Sequence, residues 1–347
     1  MKSRLASSFA SIVCLTLISA GAQADTSGQQ LAEGAGRALL GTPAPRLEVK
    51  TIDGRTIDLG QLYGKQAVYL KFWATWCVPC RQQMPHFEHV YESAGPDLAV
   101  IAVNVGFNDA VDDIRAYREK LGITMPIVLD DGRLGAAFHL RVTPQHIVIG
   151  RDGRIEYVGH LADASLDAAL SAARTEPAAD ASDAGAASKN PAAIVRYAVG
   201  DALPELTPLT IEGTPFDFRE RGAAHQTVLV FLSPWCESYL ATTRPEVSTN
   251  CRRMREQVAA LAGEHDTRWL GIASGLWATA EDLREYRTQY AVGIPLALDE
   301  SGALFRAFTV NQLPAALIVD RHGRIVRRVE GAELETPTAL RAAIGTR

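Results

Sequence analysis

Two stretches of this 347-residue chain are variants of one another. "GTPAPRLEVKTIDGRTIDLGQLYGKQAVYLKFWATWC" begins at Gly41 and "GDALPELTPLTIEGTPFDFRERGAAHQTVLVFLSPWC" at Gly200. Pro45 matches Pro204, Ile52 matches Ile211, Gly54 matches Gly213 and Trp76 matches Trp235, each at an offset of 159 positions. The likeness returns further on: "TPQHIVIGRDGRI" from Thr143 resembles "LPAALIVDRHGRI" from Leu313, now at an offset of 170. Self-similarity at a fixed offset marks a duplication, and this spacing far exceeds that of a solenoid repeat. Each copy is therefore expected to be a whole domain.

The pattern inside one copy narrows the fold. "AVYLKFW" and "LAVIAVNV" are apolar and β-prone enough for buried strands. "VDDIRAYREKLG" has helical spacing and a glycine stop. "HIVIGRDGRIEYVG" reads as two strands about an Asp-Gly turn. Strand, helix, strand, helix and hairpin predict an α/β domain, a mixed central sheet flanked by helices. We expect domains over residues 36–174 and 195–347, joined by a flexible linker at 175–194 rich in Ala, Ser, Asp and Pro.

The N-terminus reads as a secretory signal. Lys2 and Arg4 precede an apolar stretch, and Ala22-Gln23-Ala24 supplies small residues for cleavage after Ala24. Cys14 lacks the small preceding residue that lipid attachment would need. Residues 25–35 are expected to be a short flexible segment, and the mature protein to be periplasmic. A net charge of −5, without a long single-sign run, argues against nucleic acid or an anionic membrane as the main partner. Export leaves Cys77, Cys80, Cys236 and Cys251 in an oxidising compartment, where unmanaged thiols pair.

"KFWATWCVPCRQQMP" carries the chemistry of the first copy. Cys77 follows a buried strand at a helix start, where unpaired N–H groups and the helix dipole favour a thiolate. Cys80, one turn on, can attack a mixed disulfide on Cys77. Pro79 is tolerated in a first turn because its missing N–H would have no partner there. A zinc site would need two more ligands at suitable spacing, and none follows. No metal or cofactor is expected.

These residues resemble the thioredoxin superfamily, and within it the exported TlpA/ResA-like branch. "FWATWCVPC", "GKQAVYLKFW", "IAVNVG" and "GRDGRI" carry the resemblance. It implies two tandem thioredoxin-like domains, Cys77 as attacking thiol, Cys80 as resolving thiol, and Pro144 as a cis-proline facing the pair beside Trp76. It further implies protein thiols or disulfides as substrates and a membrane-bound thiol reductant as electron source. Two departures stand out. Lys71 replaces the buried acid that thioredoxins carry on the strand before the motif, and Phe107, followed by Asn108 and Asp109, stands where the branch often has Glu. The Val78-Pro79 pair puts no cation between the cysteines, which leans toward a reductase. Thr143 before Pro144 resembles some disulfide isomerases and weakens that lean.

In the second copy Cys236 takes the place of Cys77, Tyr239 that of Cys80 and Pro314 that of Pro144. The offset grows from 159 to 169 between Trp235 and Gly275, so an insertion there carries Cys251. Unbroken helix would hold Cys236 and Cys251 roughly 22 Å apart, too far for a disulfide. Pro245 offers a break that folds the segment back. A Cys236–Cys251 bond, structural or redox-active, is the preferred reading. A monothiol docking domain and a peroxidatic Cys236 are the alternatives. For the whole chain, a thiol–disulfide oxidoreductase competes with a chaperone-like peptide platform and with a thiol peroxidase.

Overall fold

The computed structural model describes residues 17–175, 195–220, 226–263 and 267–345. The expected linker lies outside these residues apart from Thr175, as does the expected signal segment up to residue 16.

Two five-stranded sheets carry the structure. The first runs, across the sheet, Ile127–Leu129, Leu98–Asn104, Ala67–Trp73, Gln145–Ile149 and Ile155–Gly159. Its first three strands are parallel, and each of the last two is antiparallel to its neighbour. The second sheet repeats that order and those directions with Leu296–Asp299, Thr267–Ser274, Gln226–Leu232, Ala315–Asp320 and Ile325–Glu330. Two thioredoxin-like units result, as the duplicated sequence predicts.

Local chemistry explains the elements. Ala67–Trp73 is buried at every position, which is why its residues form an almost unbroken apolar run and do not alternate. The helix Val111–Leu121 starts where Asp113 accepts from the Ala110 N–H at 2.9 Å, and stops at Gly122 with a left-handed φ of 65°. Its counterpart Ala280–Tyr290 begins with a reciprocal Thr279–Asp282 capping box.

Residues 25–35, expected to be flexible, belong instead to the helix Leu17–Gly36. Packing accounts for the difference. Ala32 is fully buried, and Gln29 Oε1 accepts from the N–H groups of His160 and Leu161. A Cβ on Gly36 would fall 2.4 Å from Val158 Cβ, so the helix can approach the strand only with glycine there. Composition gave no sign of these partners, which are over a hundred positions away in the chain. Among the described residues, no helix is long and apolar enough to cross a membrane.

Each sheet has one private face. Val68, Leu70 and Phe72 enter a core belonging to the first unit, and Val228 and Val230 a core belonging to the second. The alternate positions, Tyr69 and Trp73 with Leu229 and Phe231, join one apolar cluster shared by both units. That shared cluster contains Cys77, Cys80, Cys236 and Cys251. The two units meet at loops beyond their strands, near the cysteines, where Trp76 packs on Trp235 and Phe107 on Phe305.

Candidate functional site

Strand Ala67–Trp73 delivers the chain to the site, and the helix Val78–Gln82 opens there with Cys77 as its cap. Cys77 Sγ accepts from the Cys80 N–H at 3.2 Å, one of the donors that a helix start leaves unpaired. Pro79 sits in that first turn without loss of a hydrogen bond. Cys77 and Cys80 are joined as a disulfide with Cα atoms 5.2 Å apart, and both are buried. Cys77 Sγ lies 3.3 Å from the carbonyl oxygen of Thr143, and the Thr143–Pro144 peptide is cis. Trp76 is fixed by its indole N–H, which donates to the Phe107 carbonyl at 2.6 Å. Cys77, Cys80, Trp76, Pro79, Thr143 and Pro144 thus converge on one place.

Lys71 is buried within the same strand, its Nζ 5.1 Å from the centroid of Phe87. Among the described residues it has no hydrogen-bond partner, and burial pulls its pKa down to about 7. The side chain does not reach solvent. The equivalent position in the second unit, at an offset of 159, is Val230.

Several polar groups around the dithiol had no signature in the sequence. Gln83, which ends the dithiol helix, donates through Nε2 to the His160 carbonyl, so its Oε1 faces His146. That places the proton of His146 on Nε2 and leaves Nδ1 to accept from the Tyr69 hydroxyl at 2.8 Å. Burial holds His146 well below the usual imidazole range, so it stays neutral. His160 Nδ1 in turn meets the Pro144 carbonyl at 2.7 Å. A chain of buried bonds therefore ties the cis-proline to the dithiol helix from behind. Histidines at alternating or isolated positions look alike in a sequence whether they are packed or reactive.

Asp109 forms a second cluster. Its carboxylate accepts from the Thr75 N–H, the Thr75 hydroxyl and Asn104 Nδ2, and pairs with Arg244 of the other unit at 3.1 Å. Burial raises its pKa, and these donors offset only part of the rise. The signal available in the sequence was its place just beyond Phe107, where the family pattern breaks.

In the second unit Cys236 and Cys251 form a disulfide, with Cα atoms 6.3 Å apart. Cys236 opens the helix Cys236–Thr243, and Cys251 lies in the second turn of the helix Pro245–Leu261. The chain reverses at Arg244, with φ −144° and ψ 67°, and Pro245 starts the next helix. Ser248, Thr249 and Asn250, residue types that suit a helix start, lie inside this helix. The Leu313–Pro314 peptide is cis, as its counterpart is. Trp235 stacks on Trp76 with centroids 5.3 Å apart, and Tyr239 accepts through its hydroxyl from the Val78 N–H at 3.0 Å. Among the described residues, no group of three or more His, Cys, Asp or Glu is placed to hold a metal ion.

Residues 40–158 match the AhpC/TSA family. The chain is 32% identical over 133 residues to the thioredoxin-like protein YneN of Bacillus subtilis (strain 168), covering 38% of this chain and 78% of that protein. It is 34% identical over 117 residues to the thiol-disulfide oxidoreductase ResA of Halalkalibacterium halodurans, covering 33% of this chain and 65% of that one. ResA of Bacillus subtilis (strain 168) is 30% identical over 117 residues, with 33% and 64% covered. This chain therefore spans slightly less than two thirds of either ResA. Fold, disulfide-bonded Cys-x-x-Cys and sequence agree: the chain belongs to the thioredoxin-like family of thiol–disulfide oxidoreductases.

Proposed function

We propose that this protein is an exported oxidoreductase that acts on protein disulfides through Cys77 and Cys80, in the reducing direction. The placement of Cys77 carries the reading. It caps a helix, takes a backbone N–H from Cys80 and faces a cis-proline, three features that favour a thiolate poised against a polypeptide. Export rests on the basic, apolar and small-residue order of the N-terminal segment.

In the reducing direction the Cys77 thiolate attacks one sulfur of a substrate disulfide, and the other substrate sulfur leaves as a thiolate. The Cys80 thiolate then attacks Cys77 Sγ and expels the second substrate sulfur. The substrate has gained two electrons and two protons overall, and the enzyme is left with the Cys77–Cys80 bond. Cys80 must give up its proton before its attack. Lys71, with its pKa near 7, is the buried group on the adjoining strand whose charge changes in the working pH range. A membrane-bound thiol reductant would return the electrons.

Insulin reduction driven by dithiothreitol tests the proposal. Wild-type protein should accelerate it. Cys77→Ser should remove the acceleration, and Cys80→Ser should remove it while trapping mixed disulfides with insulin chains. Trapping by both variants, or by neither, would reverse or remove the assigned roles.

A further inference from the structure

A sulfur that attacks a protein disulfide has to be reached by it, yet Cys77 is only 1% exposed. The other half of the same chain touches both of its neighbours, Trp76 and Val78. Two loops cross over reciprocally. The Trp277 N–H donates to the Arg141 carbonyl at 2.8 Å, and the Asn108 N–H donates to the Asn311 carbonyl at 2.8 Å. The donors are equivalent positions of the two copies, and so are the acceptors, each three residues before a cis-proline. Asn108 and Trp277 both hold φ at 54°, in the left-handed region that residues other than glycine seldom adopt. Two unfavourable backbone conformations are kept in register to make these contacts.

The side chains continue the exchange. Trp277 Nε1 donates to Thr143 Oγ1 at 3.3 Å, and Asn108 Oδ1 accepts from the Leu313 N–H at 2.8 Å. Thr143 and Leu313 are the residues directly before the two cis-prolines. A backbone edge of this kind is where an extended polypeptide pairs with a sheet protein. In this chain each unit fills that edge of the other. Around Cys77 the cover is closed by the Trp76–Trp235 stack on one side and the Tyr239 hydroxyl on Val78 N–H on the other.

We propose that the second unit is a resident cap on the first. It occupies the polypeptide-binding edge beside Pro144, and a protein substrate engages Cys77 only by displacing it. This rests on Cys77 being the attacking thiol. The groove so covered fits an extended segment that offers a backbone donor to Arg141 and a bulky aromatic or apolar side chain in place of Trp277. Turnover on a protein is then lowered by the fraction of time the cap is seated, while small reagents are hindered less.

The test compares reagents of two sizes on reduced full-length protein. Iodoacetamide and a polyethylene-glycol maleimide are each applied, and modification of Cys77 is followed by peptide mapping. In the wild type the bulky reagent should lag the small one, relative to their rates on a free peptide thiol, by roughly tenfold or more. Trp277→Ala with Tyr239→Phe should close most of that gap and raise insulin reduction severalfold. Bulky-reagent rates equal in variant and wild type would overturn the cap. Should that variant fold poorly, Glu300→Arg replaces the interunit ion pair with Arg141 by two like charges and should narrow the lag. A lag narrowed in Glu300→Arg supports the cap, and a lag unchanged from the wild type counts against it. The parent reading fails in a different way: insulin untouched by every form, with the alkylation gap still responding.

Discussion

The bonded sulfurs of the first unit lie three residues apart on one helical turn, and those of the second lie 15 apart on two helices. Both start from the same place, a cysteine after a Trp at the end of a central strand. In the first unit the second sulfur comes from the helix that Cys77 caps, so the bond can open without separating any two elements. In the second unit the bond joins the helix Cys236–Thr243 to Pro245–Leu261, on either side of the reversal at Arg244. This hairpin presents Tyr239 and Arg244 to the first unit. A thiolate at Cys77 has the Cys80 N–H waiting for it. We assign redox exchange to the first bond and stapling of the cap to the second.

Lys71 offers the largest lever on that difference, because Val230 stands in its place in the second unit. Burial lowers the pKa of Lys71 from 10.5 to about 7. Between those values the unfolded chain binds more protons than the folded one, so stability rises with pH across that window. Lys71→Met should therefore stabilise the protein by about 3–5 kcal/mol at pH 7, and the gain should shrink to nothing above the ordinary lysine range. Urea unfolding at several pH values measures it. The same change should flatten the pH profile of insulin reduction near neutrality if Lys71 serves proton exchange at the dithiol.

Removing the second bond comes next. Cys236→Ser with Cys251→Ser should cost about 3 kcal/mol, the loop-closure value for 15 residues. Urea unfolding read by Trp fluorescence checks this, and dithiol chemistry at Cys77 should persist in the variant. Loss of insulin reduction in a folded double variant would make the second bond part of the electron path. A smaller effect is expected from Arg244→Ala, which strips a partner from the buried Asp109 carboxylate and should cost about 1–2 kcal/mol. It should also quicken modification of Cys77 by a bulky reagent, since Arg244 reaches across from the cap to Thr75.

How far the sequence reached follows the range of the interactions. Strand Ala67–Trp73, helix Val111–Leu121 and the hairpin through Asp152-Gly153 were legible because each is set by contiguous residues. The dithiol site was legible because its spacing and Pro79 report a helix start, and Thr143-Pro144 was reached through family resemblance. Folding back of the inserted segment could be read from Pro245. The covered face could not. It depends on Trp277 meeting Arg141 and Asn108 meeting Asn311, contacts between residues more than 130 positions apart with ordinary local patterns. Lys71 was ambiguous for a related reason: a lysine in an apolar strand reads the same whether it escapes to solvent or is sealed in. Tyr239 carried a signal of absence, a missing cysteine, and its hydroxyl serves the other unit's helix.

Graded redox buffers test the division of labour between the two bonds most directly. Protein would be equilibrated from oxidising to reducing mixtures of dithiothreitol, quenched in acid, and each cysteine mapped as thiol or disulfide. We expect a window in which Cys77 and Cys80 are thiols while Cys236 and Cys251 stay bonded, because the Cys80 N–H favours a thiolate at Cys77 and the second bond closes the longer loop, of 15 residues against three. Coincident opening of the two bonds, or opening of Cys236–Cys251 before Cys77–Cys80, would contradict it.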